Sequence, residues 1–192
     1  MSNFRELLEV HQSQINDLLA SKIYEPIEQA ILDISTALEG GLPILVMGNG
    51  GSASDAMHIA GELIGKFLHE RGALNVICLN ANLSVLTAWA NDYEFETVFS
   101  RQVEAHGKGG GVCWGLSTSG NSINVINAFK KARQMGMITI ALTGKGGGAL
   151  SQFSDVLIEA PTLDTPRVQE IHILIYHYIC ECIEQRLLAS KS

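Results

Sequence analysis

The sequence predicts a doubly wound α/β domain with a five-stranded parallel sheet flanked by helices. Three observations carry this. Five short apolar runs punctuate the chain, helical periodicity fills the stretches between them, and the runs end in loops rich in glycine or hydroxyl groups. Runs buried on both faces and separated by helices imply parallel strands joined by right-handed crossovers.

Two helices precede the first strand. Phe4, Leu7, Leu8, His11, Ile15, Leu18 and Leu19 fit a 3.6-residue period, and Pro26 falls near the start of the second helix, where proline is tolerated. The first apolar run, 42–47, ends at Gly48, and a helical pattern follows from 52 to about 69. The second run is 74–79, followed by helix over 83–90. The third is 111–116, followed by helix over 122–135. The fourth, 137–142, leads into Gly144-Lys145-Gly146-Gly147-Gly148, and the fifth is 156–160. A long last helix should begin near Asp164-Thr165-Pro166, with a cap residue and a first-turn proline. Its middle, Ile171-His172-Ile173-Leu174-Ile175-Tyr176-His177-Tyr178-Ile179, is apolar nearly all round, which predicts burial on several sides and a homo-oligomer.

Composition narrows the function. Of 192 residues, 46% are hydrophobic and 17% are charged, and the net charge is −7. This suits one packed domain over 1–192, with no linker or repeat. An acidic chain without a basic run argues against nucleic acid as partner. No apolar run reaches the ~18–20 residues of a membrane span, and Met1 to Leu8 carries no secretory signal. Cys78, Cys113, Cys180 and Cys182 read as reduced and structural. A cytoplasmic protein is expected.

Ligands of open parallel sheets bind outside the carboxyl ends of the strands. Two loops there carry chemistry. Gly48-Asn49-Gly50-Gly51-Ser52 and Ser117-Thr118-Ser119-Gly120-Asn121-Ser122 both enter helices. Their hydroxyls, backbone N–H groups and helix dipoles suit a phosphate without any lysine; the plainer alternative is simple helix capping. Gly48-x-Gly50-x-x-Ala53 loosely matches a dinucleotide fingerprint. No acid stands at Leu79-Asn80-Ala81 for a ribose, so NAD is discounted. On the helix after the first loop, His58 and Glu62 are four residues apart and share a face. Such a pair can hold a metal or divide proton transfer, or simply hydrogen-bond at the surface. On the last helix, Gln169 and His177 are eight apart, about 12 Å along the axis at 1.5 Å per residue. Periodicity alone does not single out His177. His11, His69 and His106 read as surface or loop groups, and His172, Trp89 and Trp114 as core.

Together these motifs, with Asn91-Asp92, Leu142-Thr143-Gly144 and Arg167-Val168-Gln169-Glu170-Ile171-His172, resemble the sedoheptulose-7-phosphate (phosphoheptose) isomerases of the sugar-isomerase, or SIS, family. The resemblance covers most of the chain in the right order. It implies the SIS fold and conversion of sedoheptulose 7-phosphate to D-glycero-D-manno-heptose 7-phosphate through an enediol. It implies substrate binding by Asn49, Gly50, Gly51, Ser52, Glu62, Asn91, Asp92, Ser117, Thr118, Ser119, Ser122 and Gln169. It further implies one zinc ion per subunit on His58, Glu62, Gln169 and His177, with Glu62 as base and His177 as acid. A homotetramer with active sites between subunits is expected. Pro166, Gly61 and Ala53-Ser54 depart from residues common in such enzymes. The alternative is a non-catalytic SIS module that binds a phosphosugar or a protein such as a replication initiator. Retention of the His/Glu/Gln set favours the enzyme.

Overall fold

The computed structural model describes residues 3–190. Helices α1 (Phe4–Ala20) and α2 (Tyr24–Glu39) lead into β1 (Ile44–Gly48) and α3 (Gly51–Ile64). Then come β2 (Val76–Cys78), α4 (Leu83–Asp92), α5 (Val98–His106), β3 (Val112–Ser117) and α6 (Ile123–Gln134). Finally β4 (Ile138–Thr143), β5 (Val156–Glu159) and α7 (Thr165–Ala189) close the chain. The sheet order is β2-β1-β3-β4-β5, parallel throughout. The expected fold class is therefore the one observed.

Strand alternation divides the core into two layers. Ile44, Val46, Trp114, Leu116, Ile140 and Leu142 pack with α2, α3 and α7. Leu45, Met47, Cys113 and Ala141 pack with α5 and α6 on the other face. Continuous burial along β1 and β3 is the mark of strands covered on both sides. Chain winding reverses between β1 and β3, with β2 on one side of β1 and β3 on the other. That reversal opens a crevice beyond the carboxyl ends of these two strands.

Two helices and one tryptophan differ from expectation. Helix α5 was not anticipated, although Val98, Phe99, Gln102 and Val103 form its buried stripe. Trp89 is only partly buried; its indole donates to Thr97 Oγ1 at 2.8 Å and stacks on Tyr93. Helix α3 stops at Ile64 rather than near 69. Its continuation is captured by Glu184 of α7, whose carboxylate accepts from the N–H groups of Phe67, Leu68 and His69 at 3.0, 2.7 and 2.8 Å. Arg71 Nε lies 3.2 Å from the same carboxylate. Burial alone would raise the Glu184 pKa, but these donors and the Arg71 charge hold it below the usual carboxylate range.

Helix α7 buries Val168, Ile171, His172, Ile175, Tyr176, Ile179, Ile183 and Leu187 as one stripe. Leu174 and Tyr178 remain 54% and 48% exposed, so within one chain this helix is not covered all round. Neither it nor any other helix of the described residues is long and apolar enough to cross a membrane.

Candidate active site at the sheet crevice

The loop after β1 turns at Gly50, whose φ of 56° is a conformation side chains disfavour. It is braced from both sides. Asn80, just beyond β2, donates to the Gly48 carbonyl at 2.9 Å and accepts its N–H at 3.1 Å, imitating one more step of strand pairing. Asn49 and Asn124 exchange reciprocal amide hydrogen bonds at 2.8 and 2.9 Å, linking the loop after β1 to α6 across the crevice. In the loop after β3, the Ser117 and Ser122 hydroxyls meet at 2.9 Å, and Ser119 Oγ accepts the Asn121 N–H at 3.1 Å. Neither α3 nor α6 has a side-chain cap: no such hydrogen bond is made by Gly50 or by Ser122. Capping therefore does not account for the hydroxyls at these helix starts. Two positive dipole ends face the same crevice.

Further along α3 lies the reactive cluster. His58, Glu62 and His177 place one ligand atom each within 4.8 Å of one another. His58 Nε2 is 3.0 Å from Glu62 Oε1 and 3.5 Å from His177 Nε2. Phe67 packs against the His177 ring at 5.6 Å between centroids, on the segment that Glu184 holds. Burial, and then the neighbouring His58, lower the His177 pKa, while Glu62 works the other way. The net shift is downward, so its imidazole is neutral near pH 7. Two imidazole nitrogens and a carboxylate oxygen are a donor set that fits a zinc-type ion with an open position.

Helices α3 and α7 run side by side in the same direction. Gln169 lies against Gly51, where an added Cβ would collide with its amide. Seven residues further along both helices, Tyr176 meets His58. Eight residues beyond Tyr176 on α7, Glu184 meets the chain just past α3. Gln169 therefore stands at the loop end of α3 and His177 at its histidine end. The structure brings together three of the four expected metal residues and places Gln169 beside the first loop. Asn91 and Asp92 sit exposed at the end of α4, where Asn91 donates to Asp92 at 2.9 Å. None of α4 is buried within the chain.

Residues 11–144 match the model of the SIS domain family. A phosphoheptose isomerase of Synechocystis is 47% identical over 165 residues, spanning 85% of each chain. One from Helicobacter pylori strain P12 is 47% identical over 175 residues, spanning 91% of each. This chain belongs to the phosphoheptose isomerase family. The solved structure of a phosphoheptose isomerase from Neisseria gonorrhoeae superposes with a TM-score of 0.85. It is 40% identical and covers 95% of this chain and all of that one.

Several residues of this phosphoheptose isomerase family member escaped the sequence reading. Asn124, Asn80 and Tyr176 all hold site residues, yet each lies on a different element from the group it holds. Asn124 alone had a visible signal, as the one polar residue on the buried stripe of α6 with Val125, Ile126, Ala128, Phe129 and Ala132. His172 is fully buried. Its Nε2 lies 3.1 Å from the Thr143 carbonyl, which agrees with a core rather than a ligand role.

Proposed function

We propose that this chain isomerises sedoheptulose 7-phosphate to D-glycero-D-manno-heptose 7-phosphate, the first step toward ADP-heptose for lipopolysaccharide core. In a chain of this family, the carrying observation is the meeting of one carboxylate and two imidazoles within 4.8 Å.

The phosphate binds where α3 and α6 begin, held by Ser52, Ser117, Thr118, Ser119 and Ser122 and by the backbone of Asn49, Gly50 and Gly51. Asn91, Asp92 and Gln169 contact the sugar. Glu62 takes the proton from C1 of the ketose, beside the C2 carbonyl, and returns it to C2 of the enediol. Its Oε1 faces His58, which leaves Oε2 for that proton. His177, neutral near pH 7, can give a proton to one oxygen and accept one from the other. His58, Glu62, His177 and Gln169 would hold zinc, with Gln169 reaching the ion from another subunit of a homotetramer. Bound zinc would polarise the carbonyl and stabilise the developing negative charge. A cytoplasmic location follows from the expected place of this pathway step and from the reduced thiols; among the described residues all four cysteines are free.

The test is conversion of sedoheptulose 7-phosphate by the purified protein, with added zinc and after chelation. Product in at least one condition is expected. No conversion in either overturns the reading.

A further inference from the structure

We propose that Tyr176, backed by Asp55, is a positioning residue that decides which ring nitrogen of His58 carries the proton, and so frees Nε2 to bind a metal. This rests on the metal part of the function proposed above.

Tyr176 is fully buried on α7. Its hydroxyl lies 2.8 Å from His58 Nδ1 and 3.5 Å from Asp55 Oδ1. Asp55, one turn before His58 on α3, is itself buried. Its Oδ2 has no hydrogen-bond partner among the described residues. On the far side of the ring, His58 Nε2 faces Glu62 Oε1 and His177 Nε2.

The phenol has one proton and two acceptors. If it donates to Nδ1, the imidazole proton sits on Nε2 and points at Glu62. If it donates to Asp55, its oxygen receives Nδ1–H, and the Nε2 lone pair points between Glu62 and His177. The two arrangements hold the same number of protons. They differ by a rotation of the hydroxyl and a move of the ring proton from Nε2 to Nδ1. A cation held by all three groups requires the second arrangement, because a ligating nitrogen cannot keep its proton. The carboxylate behind the phenol supplies the alternative acceptor that makes this arrangement available. Such outer partners typically set metal affinity by about 10–100-fold.

The experiment compares zinc affinity of the wild type and Tyr176→Phe by competition with a chromogenic chelator. Ring-nitrogen chemical shifts of His58 are recorded in the zinc-loaded wild type. Expected are a loss of about 10–100-fold in zinc affinity for Y176F, unchanged far-UV circular dichroism, and a protonated Nδ1 in the wild type. Equal zinc affinity in a folded Y176F, or zinc carried on Nδ1 of His58, overturns the proposal and leaves the metal site standing. Failure of the wild type to take zinc overturns the metal reading itself, and this proposal with it. Should Y176F not fold, the His58 shifts of the wild type decide alone.

Discussion

Glu62 is a half-buried carboxylate beside one imidazole of the cluster, on a helix whose start faces the phosphate loops. Glu62→Gln keeps the shape and removes the base. Turnover of sedoheptulose 7-phosphate should fall by at least about 100-fold, and near-normal turnover would remove Glu62 from that role. His172 makes a different prediction. Its burial drives the pKa down to about 4, against the small opposing pull of the Thr143 carbonyl. Between about pH 6 and pH 4 the unfolded chain therefore binds a proton that the native chain refuses. Stability is fully present above that window and drops by about 1.4 kcal/mol per pH unit as the pH falls through it. Denaturant titrations of the wild type and His172→Gln across this range should show the shallower acid limb in the variant. The individual site groups were legible because His58 and Glu62 share a helix face and the hydroxyl loops end strands. The partners of those groups were not: nothing local to Tyr176 says that its hydroxyl reaches His58, since the two lie 118 positions apart in the sequence.

Among the elements, α3 shows how a distant side chain can set a boundary. Its apolar pattern runs on toward His69, and local periodicity cannot show that Glu184 takes the amides of Phe67, Leu68 and His69. Glu184 and Arg71 have side chains only 0% and 3% exposed. Glu184→Ala leaves a buried guanidinium without its carboxylate, and the native state should lose about 3–5 kcal/mol, read as a lower urea midpoint. Glu184→Gln, which keeps an oxygen acceptor, should lose less. Amide exchange at Phe67, Leu68 and His69 should accelerate in both. Helix α5 illustrates the reverse case. Its stripe of Val98, Phe99, Gln102 and Val103 is present in the sequence, but it is short and has no strand-end motif to mark it.

At the scale of the molecule, a parallel sheet of five strands was readable from the alternation of apolar runs and helices, whereas the lateral order β2-β1-β3-β4-β5 came from the structure. The pairing of α7 with α3 was not, because it depends on where the chain's last helix returns. The exposed side of α7 bears Leu174 and Tyr178, and α4, which has no fully buried residue, bears the exposed Leu83. If these faces meet other copies, Leu174→Glu should shift the mass measured by light scattering to a smaller species and reduce isomerase activity together. An unchanged mass would take α7 out of the interface. The side-by-side advance of α3 and α7 also gives the cleft a built-in length standard. Gln169 and the loop mark one end, Tyr176 and His58 the other, seven residues apart on each helix, or about 10 Å at 1.5 Å per residue. Loops can lengthen without altering that span. One residue inserted into α7 between Gln169 and Tyr176 would instead turn everything beyond it by about 100°. The reach from anion to imidazole is thus written in helix pitch, and evolution can change it only in whole turns on both helices at once.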